Sequence, residues 1–284
     1  MKDEMYQGHT SCAGCPATIG IRNLLEATGK NIIIANATSC SEIFSSAYPA
    51  TSWPVPYIHV AFECVAAVAS GIEVALKKLG KEDVKVIAIA GDGGTFDIGL
   101  QALSGMVDRG HDILYICYTN ECYANTGVQR SSSTPFGAST TTSPAGKASI
   151  GNAKFQKPVD EMMIAQGAVY VATTSIFYPQ DIQNKIKKAM SIKGPKFIII
   201  HSPCPLAWKF DSSETIKIAQ LAVETGAWAM YEYSDGKKTY TMSPKPRPVD
   251  EYLKMQGRFR HLKEEEIRKI QNHIDEYWKN IKKV

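Results

Sequence analysis

Two groups of residues in this chain are equipped for chemistry. Gly91-Asp92-Gly93-Gly94 follows an apolar run, Val84 to Ala90, and precedes an amphipathic stretch, Asp97 to Asp108. That order reads as strand, tight glycine turn, helix. The glycines let the backbone approach a ligand closely, and a helix N-terminus favours an anion. Asp92 adds the hard oxygen that Mg²⁺ takes when it binds phosphate. The second group is Cys12, Cys15, Cys40 and Cys204. Their soft thiolates suit zinc or iron–sulfur. A phosphate-plus-Mg²⁺ site beside thiolates implies a diphosphate cofactor coupled to electron transfer.

A further motif, Asn120-Glu121-Cys122-Tyr123-Ala124-Asn125-Thr126-Gly127, lies one strand–helix–strand unit beyond Asp92. The Asn120 side chain and the Cys122 carbonyl offer two more oxygens to the same Mg²⁺. With Asp92, two phosphate oxygens and a water they complete an octahedron. Cys12-Ala13-Gly14-Cys15 is a CxxC. No strand precedes it, which disfavours a thioredoxin-like dithiol. Zinc and a 4Fe-4S cluster each need four ligands, and spacing leaves both open. Nearness to a diphosphate site favours the cluster. Cys204, in the rigid turn Ser202-Pro203-Cys204-Pro205 beyond a strand, is the candidate fourth ligand. Cys64 within a helical pattern and Cys117 within a buried strand read as small core hydrophobes. His9 and His59 read as satisfied histidines, Glu63 as a capping or packing residue and Trp208 as packing.

Short apolar runs mark strands at Ile32–Ala35, Val84–Ala90, Ile113–Tyr118, Val169–Thr173 and Lys196–His201. Helical patterns lie between them at Ala17–Ala27, Phe62–Leu79, Asp97–Asp108, Val159–Gln166 and Gln180–Met190. Alternation of this kind implies an α/β fold, a parallel sheet with helices on both faces. Such sheets bind ligands beyond the carboxyl ends of their strands. Four strands end toward Cys40, Gly91-Asp92, Asn120 and Cys204, so the phosphate motif and the cysteines are expected on one edge. Ser131–Ser143 is a long polar loop of the kind that is functional or disordered. Tyr48–Pro56 is a second loop. Beyond Ser212 a helix, a hairpin turning at Asp235-Gly236 and an amphipathic helix, Lys263–Lys282, are expected. We read residues 1–284 as one domain with an N-terminal CxxC segment and a C-terminal hairpin and helix extension.

The 284 residues carry a net charge of +4, with scattered basic residues, which argues for no nucleic-acid partner. No uncharged apolar run is long enough to span a bilayer. The start of the chain lacks the apolar core of a signal peptide, so a cytoplasmic location is expected. Seven cysteines in such a chain point to metal or redox use rather than disulfides.

The motifs together resemble a known family. GDGG followed by NECYANTG resembles the thiamine-diphosphate motif of 2-oxoacid:ferredoxin oxidoreductases. The CAGC start, ATSC, YPATSWPVPYIHVAFECVAAVASGIE and SSSTPFGASTTTSPAGK are similar to the beta subunits of the pyruvate:ferredoxin type. The resemblance covers residues 8 to 210 and implies a thiamine-diphosphate-binding fold. It implies that Cys12, Cys15, Cys40 and Cys204 hold a 4Fe-4S cluster. It implies that Asp92, Asn120 and the Cys122 carbonyl hold Mg²⁺, and that Gly91, Gly93 and Gly94 line the diphosphate. Glu121, Tyr123 and Ala124 belong to the same cofactor motif, Cys40 borders it, and Asn125 resembles the residue facing the substrate carbonyl. Pro16 departs from the small residue the family usually has after the CxxC. Asn120 stands where single-chain relatives have Thr. The implied reaction is oxidative decarboxylation of a 2-oxoacid, pyruvate first, with coenzyme A to acyl-CoA and CO2, electrons passing to ferredoxin. The implied partners are alpha, gamma and delta type subunits, and the glutamate that activates the cofactor ring is carried by the alpha type. Another 2-oxoacid, 2-oxoisovalerate or oxalate, is the alternative substrate. A non-catalytic zinc- or cluster-binding assembly subunit is the alternative class.

Overall fold

A computed structural model describes residues 5–281. The first half runs α1 (Pro16–Thr28), β1 (Ile32–Ala37), α2 (Cys40–Ser45), β2 (Tyr57–Val60), α3 (Val65–Lys78), β3 (Lys85–Gly91), a π-helical turn (Gly93–Ile98), α4 (Leu100–Asp108) and β4 (Ile113–Thr119). A two-residue hairpin pair, β5 (Ala145–Gly146) and β6 (Ser149–Ile150), interrupts the long loop. The second half runs α5 (Val159–Ala165), β7 (Tyr170–Ser175), α6 (Pro179–Ser191), β8 (Lys196–His201), α7 (Pro205–Trp208), α8 (Thr215–Glu224), β9 (Tyr231–Ser234), β10 (Lys237–Tyr240), α9 (Asp250–Lys254) and α10 (Glu264–Ile281).

Eight strands form one sheet in the order β10-β9-β7-β8-β4-β3-β1-β2. The six from β7 to β2 are parallel, and β9 and β10 add antiparallel at the β7 edge. Side chains alternate between faces along a strand. Ile87 and Ile89 of β3 therefore pack with Leu24 and Leu25 of α1 and Ile182 and Ile186 of α6. Their neighbours Val86, Ala88 and Ala90 pack with Ala69 of α3, Leu103 and Met106 of α4 and Met163 of α5. A strand covered on both faces reads as a continuous apolar run, which is why the five internal strands were legible.

Three expectations need correction. β2 was not among the expected strands and begins just past the loop read over Tyr48–Pro56; Pro54 and Pro56 precede it, and Ile58 and His59 are exposed at the sheet edge, so no apolar run announces it. The helix expected over Asp97–Asp108 is two elements, because the chain leaves β3 through the π-helical turn before α4 begins. A Cβ on Gly99, at their junction, would lie 2.1 Å from the Gly94 carbonyl oxygen, so only glycine permits this join. Cys64 sits one residue before α3, not inside a helix. The hairpin turn at Asp235-Gly236 is as read, with both residues at positive φ. The last helix starts within a residue of the expected place; the expected end at Lys282 lies outside the described residues.

The C-terminal segments do more than flank the sheet. α8, α9 and α10 bury Leu221, Leu253 and Ile274 around Trp208 of α7 and Phe259. That third cluster sits at the carboxyl edge of β8 and β4.

Candidate active site

Register brings the motifs together. Gly91 at the end of β3 pairs with Tyr118 of β4, and Thr119 pairs with His201 of β8. The residues that follow, Asp92, Asn120 and Ser202, therefore leave the sheet side by side. Asp92 and Asn120 border a cavity of about 230 Å³ lined by Thr38, Cys40, Phe62, Gly91, Gly93, Cys122, Tyr123, Ala124, Asn125 and Thr126 among others. A larger apolar cavity of about 460 Å³ lies beneath α10, but it holds neither the glycine motif nor a cysteine.

Asp92 is 1% exposed. Its Oδ1 accepts from the Asn120 N–H at 3.2 Å, and its Oδ2 accepts from the Ser131 hydroxyl. Burial raises its carboxyl to about 7, against these hydrogen bonds. A buried carboxylate without a cation nearby is costly to ionise. One terminal atom of the Asn120 amide lies 3.1 Å from Asp92 Oδ1 and 2.7 Å from the Cys122 carbonyl oxygen. With nitrogen there the amide donates to both; with oxygen there, three oxygens converge. Mg–O distances of about 2.0–2.1 Å at right angles place neighbouring ligand oxygens about 2.9 Å apart. Both separations from the Asn120 atom bracket that spacing, so with oxygen in that position Asn120 fits as a ligand neighbour of Asp92 and of the Cys122 carbonyl around a Mg²⁺.

The surrounding loop is tied down rather than loose. Ser131, Ser133 and Thr134 are buried, and the Thr134 hydroxyl donates to the Glu121 carbonyl at 2.7 Å. The Tyr123 hydroxyl donates to Asp97 at 3.0 Å, and the Ser132 N–H donates to the same carboxylate at 3.0 Å. A Cβ on Gly93 would lie 2.5 Å from the Tyr123 ring, so a glycine here lets the tyrosine pack against this cavity-lining position. Gly94 is turned toward Phe62 and does not line the cavity. Asn125 stands exposed at the tip of the turn Ala124–Gly127, on the cavity wall. Glu121 departs from the motif reading: its carboxylate points away, to Arg258 at 2.6 Å and Gln156 at 3.1 Å.

The cysteines assemble around the same edge. The CxxC turn closes through Cys15 N–H to the Cys12 carbonyl at 3.1 Å. Gly14, at φ +68°, presses on Ser212, where a Cβ would lie 2.4 Å from the carbonyl oxygen. Cys40 opens α2 on the cavity wall, and Cys204 caps α7. Burial raises the Cys15 thiol to about 11, with charge on Cys204 and Cys12 adding. Burial raises Cys40 to about 12, with Cys204, Cys15 and Cys12 adding. The four thiols are thus one electrostatic group. Tetrahedral zinc with Zn–S of about 2.3 Å needs sulfurs about 3.8 Å apart. Among the described residues no three or more His, Cys, Asp or Glu side chains stand close enough to hold a single metal ion. Cys117 is buried in β4, and Cys122 lies under the loop beside Asn120.

Sequence reading missed two contributors. Trp208, one helical turn after Cys204, does more than pack: its Nε1 donates to the Asn120 carbonyl at 2.7 Å. Ser131, the partner of Asp92, was legible only as a member of a long polar loop. No helix among the described residues is long and apolar enough to cross a membrane.

The model of the thiamine pyrophosphate enzyme C-terminal TPP-binding domain matches residues 36–200, the segment that builds the cavity. Pyruvate synthase subunit PorB of Methanothermobacter thermautotrophicus is 54% identical over 269 residues, covering 94% of this chain and 93% of that one. The PorB subunit of Methanosarcina barkeri is 53% identical, covering 99% and 96%. Ketoisovalerate oxidoreductase subunit VorB of Pyrococcus abyssi is 45% identical, covering 100% and 94%. Among solved structures, a 2-oxoglutarate:ferredoxin oxidoreductase from Magnetococcus marinus matches with a TM-score of 0.61 at 22% identity, over 77% of this chain and 79% of that one, which shows a shared fold. With its fold, its cavity and near full-length relatives in agreement, the chain belongs to the thiamine-diphosphate-binding beta subunits of the 2-oxoacid:ferredoxin oxidoreductase family.

Proposed function

We propose that this subunit takes part in the oxidative decarboxylation of pyruvate with coenzyme A to acetyl-CoA and CO2, with ferredoxin as electron acceptor, together with alpha, gamma and delta type subunits. The single observation that carries the reading is the convergence of Asp92, Asn120 and the Cys122 carbonyl at Mg²⁺ spacing in a thiamine-diphosphate domain. Asp92 would ionise when the cation arrives, and Ser131 and the Asn120 N–H keep it aimed. Bound thiamine diphosphate supplies a nucleophilic carbon able to accept a decarboxylating 2-oxoacid. Asn125, exposed on the cavity wall, is placed to donate to a carbonyl oxygen as charge builds there.

Cys12, Cys15, Cys40 and Cys204 are proposed to hold a 4Fe-4S cluster. Charge on each of these thiols acts on the others, which supports the four lying near one another as a shared cluster requires. Cys40 lines the cavity and feels the charge of the other three thiols, which supports a short exit for the electrons. The PorB subunits of Methanothermobacter thermautotrophicus and Methanosarcina barkeri, at 54% and 53% identity against 45% for VorB of Pyrococcus abyssi, support pyruvate over a branched-chain 2-oxoacid, while PorB of Pyrococcus horikoshii is also 45% identical. We further assign residues 1–284 to one domain, since the hairpin extends the main sheet and α10 packs on the Trp208 cluster. A cytoplasmic site of action accords with the soluble electron acceptor proposed.

The test is a panel of pyruvate, 2-oxoisovalerate, 2-oxoglutarate and oxalate with the assembled enzyme, coenzyme A and ferredoxin. Pyruvate should give the highest kcat/KM. A preference for another acid overturns the substrate, and no 2-oxoacid oxidation at all overturns the function.

A further inference from the structure

Glu121 sits between the two residues that offer oxygens to the metal site, yet its side chain leaves the cavity. Its backbone is left-handed at φ +61°, a conformation a bulky non-glycine residue holds only when its surroundings impose it. It is 4% exposed. Its partner Arg258, 2% exposed, comes from the short segment between α9 and α10. Arg258 Nη2 donates to Glu121 Oε2 at 2.6 Å. The same guanidinium lies 3.6 Å over the ring of Trp208, whose Nε1 donates to the Asn120 carbonyl. One planar group therefore grips two consecutive residues of the metal loop, Glu121 directly and Asn120 through Trp208. A lysine ammonium cannot fork and stack at once.

Arg258 is itself held. Its Nε donates to Gln256 Oε1 at 2.9 Å, and fully buried Gln256 donates to the Tyr252 carbonyl at 2.8 Å. The Gly257 N–H donates to the Lys209 carbonyl at 3.1 Å, beside Trp208. A Cβ on Gly257 would lie 2.7 Å from the Lys209 Cβ, so the backbones meet at a contact only glycine allows. The C-terminal segment is thus clamped to the turn that carries Cys204 and Trp208.

We propose that Arg258 is the positioning residue of the Mg²⁺ loop, acting through Glu121 and Trp208 to hold Asn120 and the Cys122 carbonyl in ligand geometry. This rests on the reading of Asp92, Asn120 and Cys122 as the metal donors. Mg²⁺ demands near-ideal octahedral geometry, so a loop freed from this clamp should lose affinity before it loses its fold.

The experiment measures Mg²⁺-dependent thiamine diphosphate binding by calorimetry, and melting of the cofactor-free protein, in the assembled full-length enzyme. Variants are Arg258→Met, Arg258→Lys, the double variant Glu121→Gln with Arg258→Met, and Asp92→Ala as reference. Arg258→Met should weaken binding by about tenfold or more, equivalent to about 1.4 kcal/mol. Arg258→Lys should recover only part of this. The double variant, with no buried unpaired charge, should melt closer to the parent and still bind weakly. Affinity within twofold of the parent in Arg258→Met, or in Arg258→Lys and the double variant if Arg258→Met does not fold, overturns the proposal and leaves Arg258 a structural residue. Undiminished binding in Asp92→Ala overturns the metal-site reading itself, and the proposal with it.

Discussion

Asp92→Asn should make the cofactor-free protein more stable while abolishing its grip on Mg²⁺. The parent carboxyl is buried and raised from the ordinary 3.8 to about 7. Burial is the leading cause, opposed by the Ser131 and Asn120 hydrogen bonds. Keeping it ionised above pH 7 in the folded state therefore costs about 4 kcal/mol relative to the unfolded chain. The sign follows from proton binding: between the two pKa values the folded state keeps a proton that the unfolded state has released. Stability from this group is full below about pH 4 and is lost as pH rises to about 7. Asparagine is nearly isosteric and carries no charge, so it escapes this cost. At roughly 2 °C per kcal/mol, the low end that suits a chain of this size, the gain at pH 8 has a ceiling of about 8 °C. Calorimetric melting of metal-free parent and variant at pH 5 and pH 8 checks this. The variant's advantage should be larger at pH 8 than at pH 5. Adding Mg²⁺ and thiamine diphosphate should reverse the ranking, because only the parent gains from binding. A variant that melts lower than the parent at pH 8 without ligand would refute the reasoning and make Asp92 a residue of the fold alone.

Three further outcomes are expected. Cys12→Ser, Cys15→Ser, Cys40→Ser and Cys204→Ser should each lower iron content or shift the cluster potential, whereas Cys64→Ser should leave iron unchanged; iron analysis with potentiometry decides, and equal loss from Cys64 would move the fourth-ligand role. Asn125→Ala should cut turnover by about 10²–10³ with cofactor content and iron unchanged, since one donor to a developing oxyanion is typically worth that much; joint loss of cofactor and rate would make it a turn residue instead. Trp208→Phe removes the donor to the Asn120 carbonyl while keeping most of the ring, so cofactor affinity should fall several-fold with little change in melting temperature; unchanged affinity would return Trp208 to packing.

Much of the fold was legible because the internal strands are covered on both faces. Lys85–Gly91 and Ile113–Thr119 are almost wholly buried, and burial on both faces writes itself as an unbroken apolar run. β2 was not, since an edge strand needs no such run and here carries exposed Ile58 and His59. The π-helical turn was invisible because apolar spacing over a single turn does not distinguish about one extra residue per turn from a regular helix. In the cavity, Asp92, Asn120 and Cys122 could be placed from local spacing and the strand-end rule alone. Glu121 could not be: its spacing fits the cofactor motif, and only the distant Arg258 draws its side chain away. Nothing in the sequence around Arg258 signals that partnership, because a pairing across 137 residues leaves no local pattern. Trp208 illustrates the same limit: its ring predicts packing, and only the fold shows where its N–H ends.

The proposed coupling of a thiamine site to a cluster on this chain is tested most directly by one anaerobic measurement. The assembled enzyme, loaded with Mg²⁺ and thiamine diphosphate, is mixed with pyruvate and coenzyme A without ferredoxin while absorbance near 400 nm is followed. The parent should bleach as the cluster accepts electrons, and Asp92→Ala should not, although its iron content is normal. Parent enzyme that fails to bleach, or an Asp92→Ala variant that bleaches as fully and as fast, would contradict it.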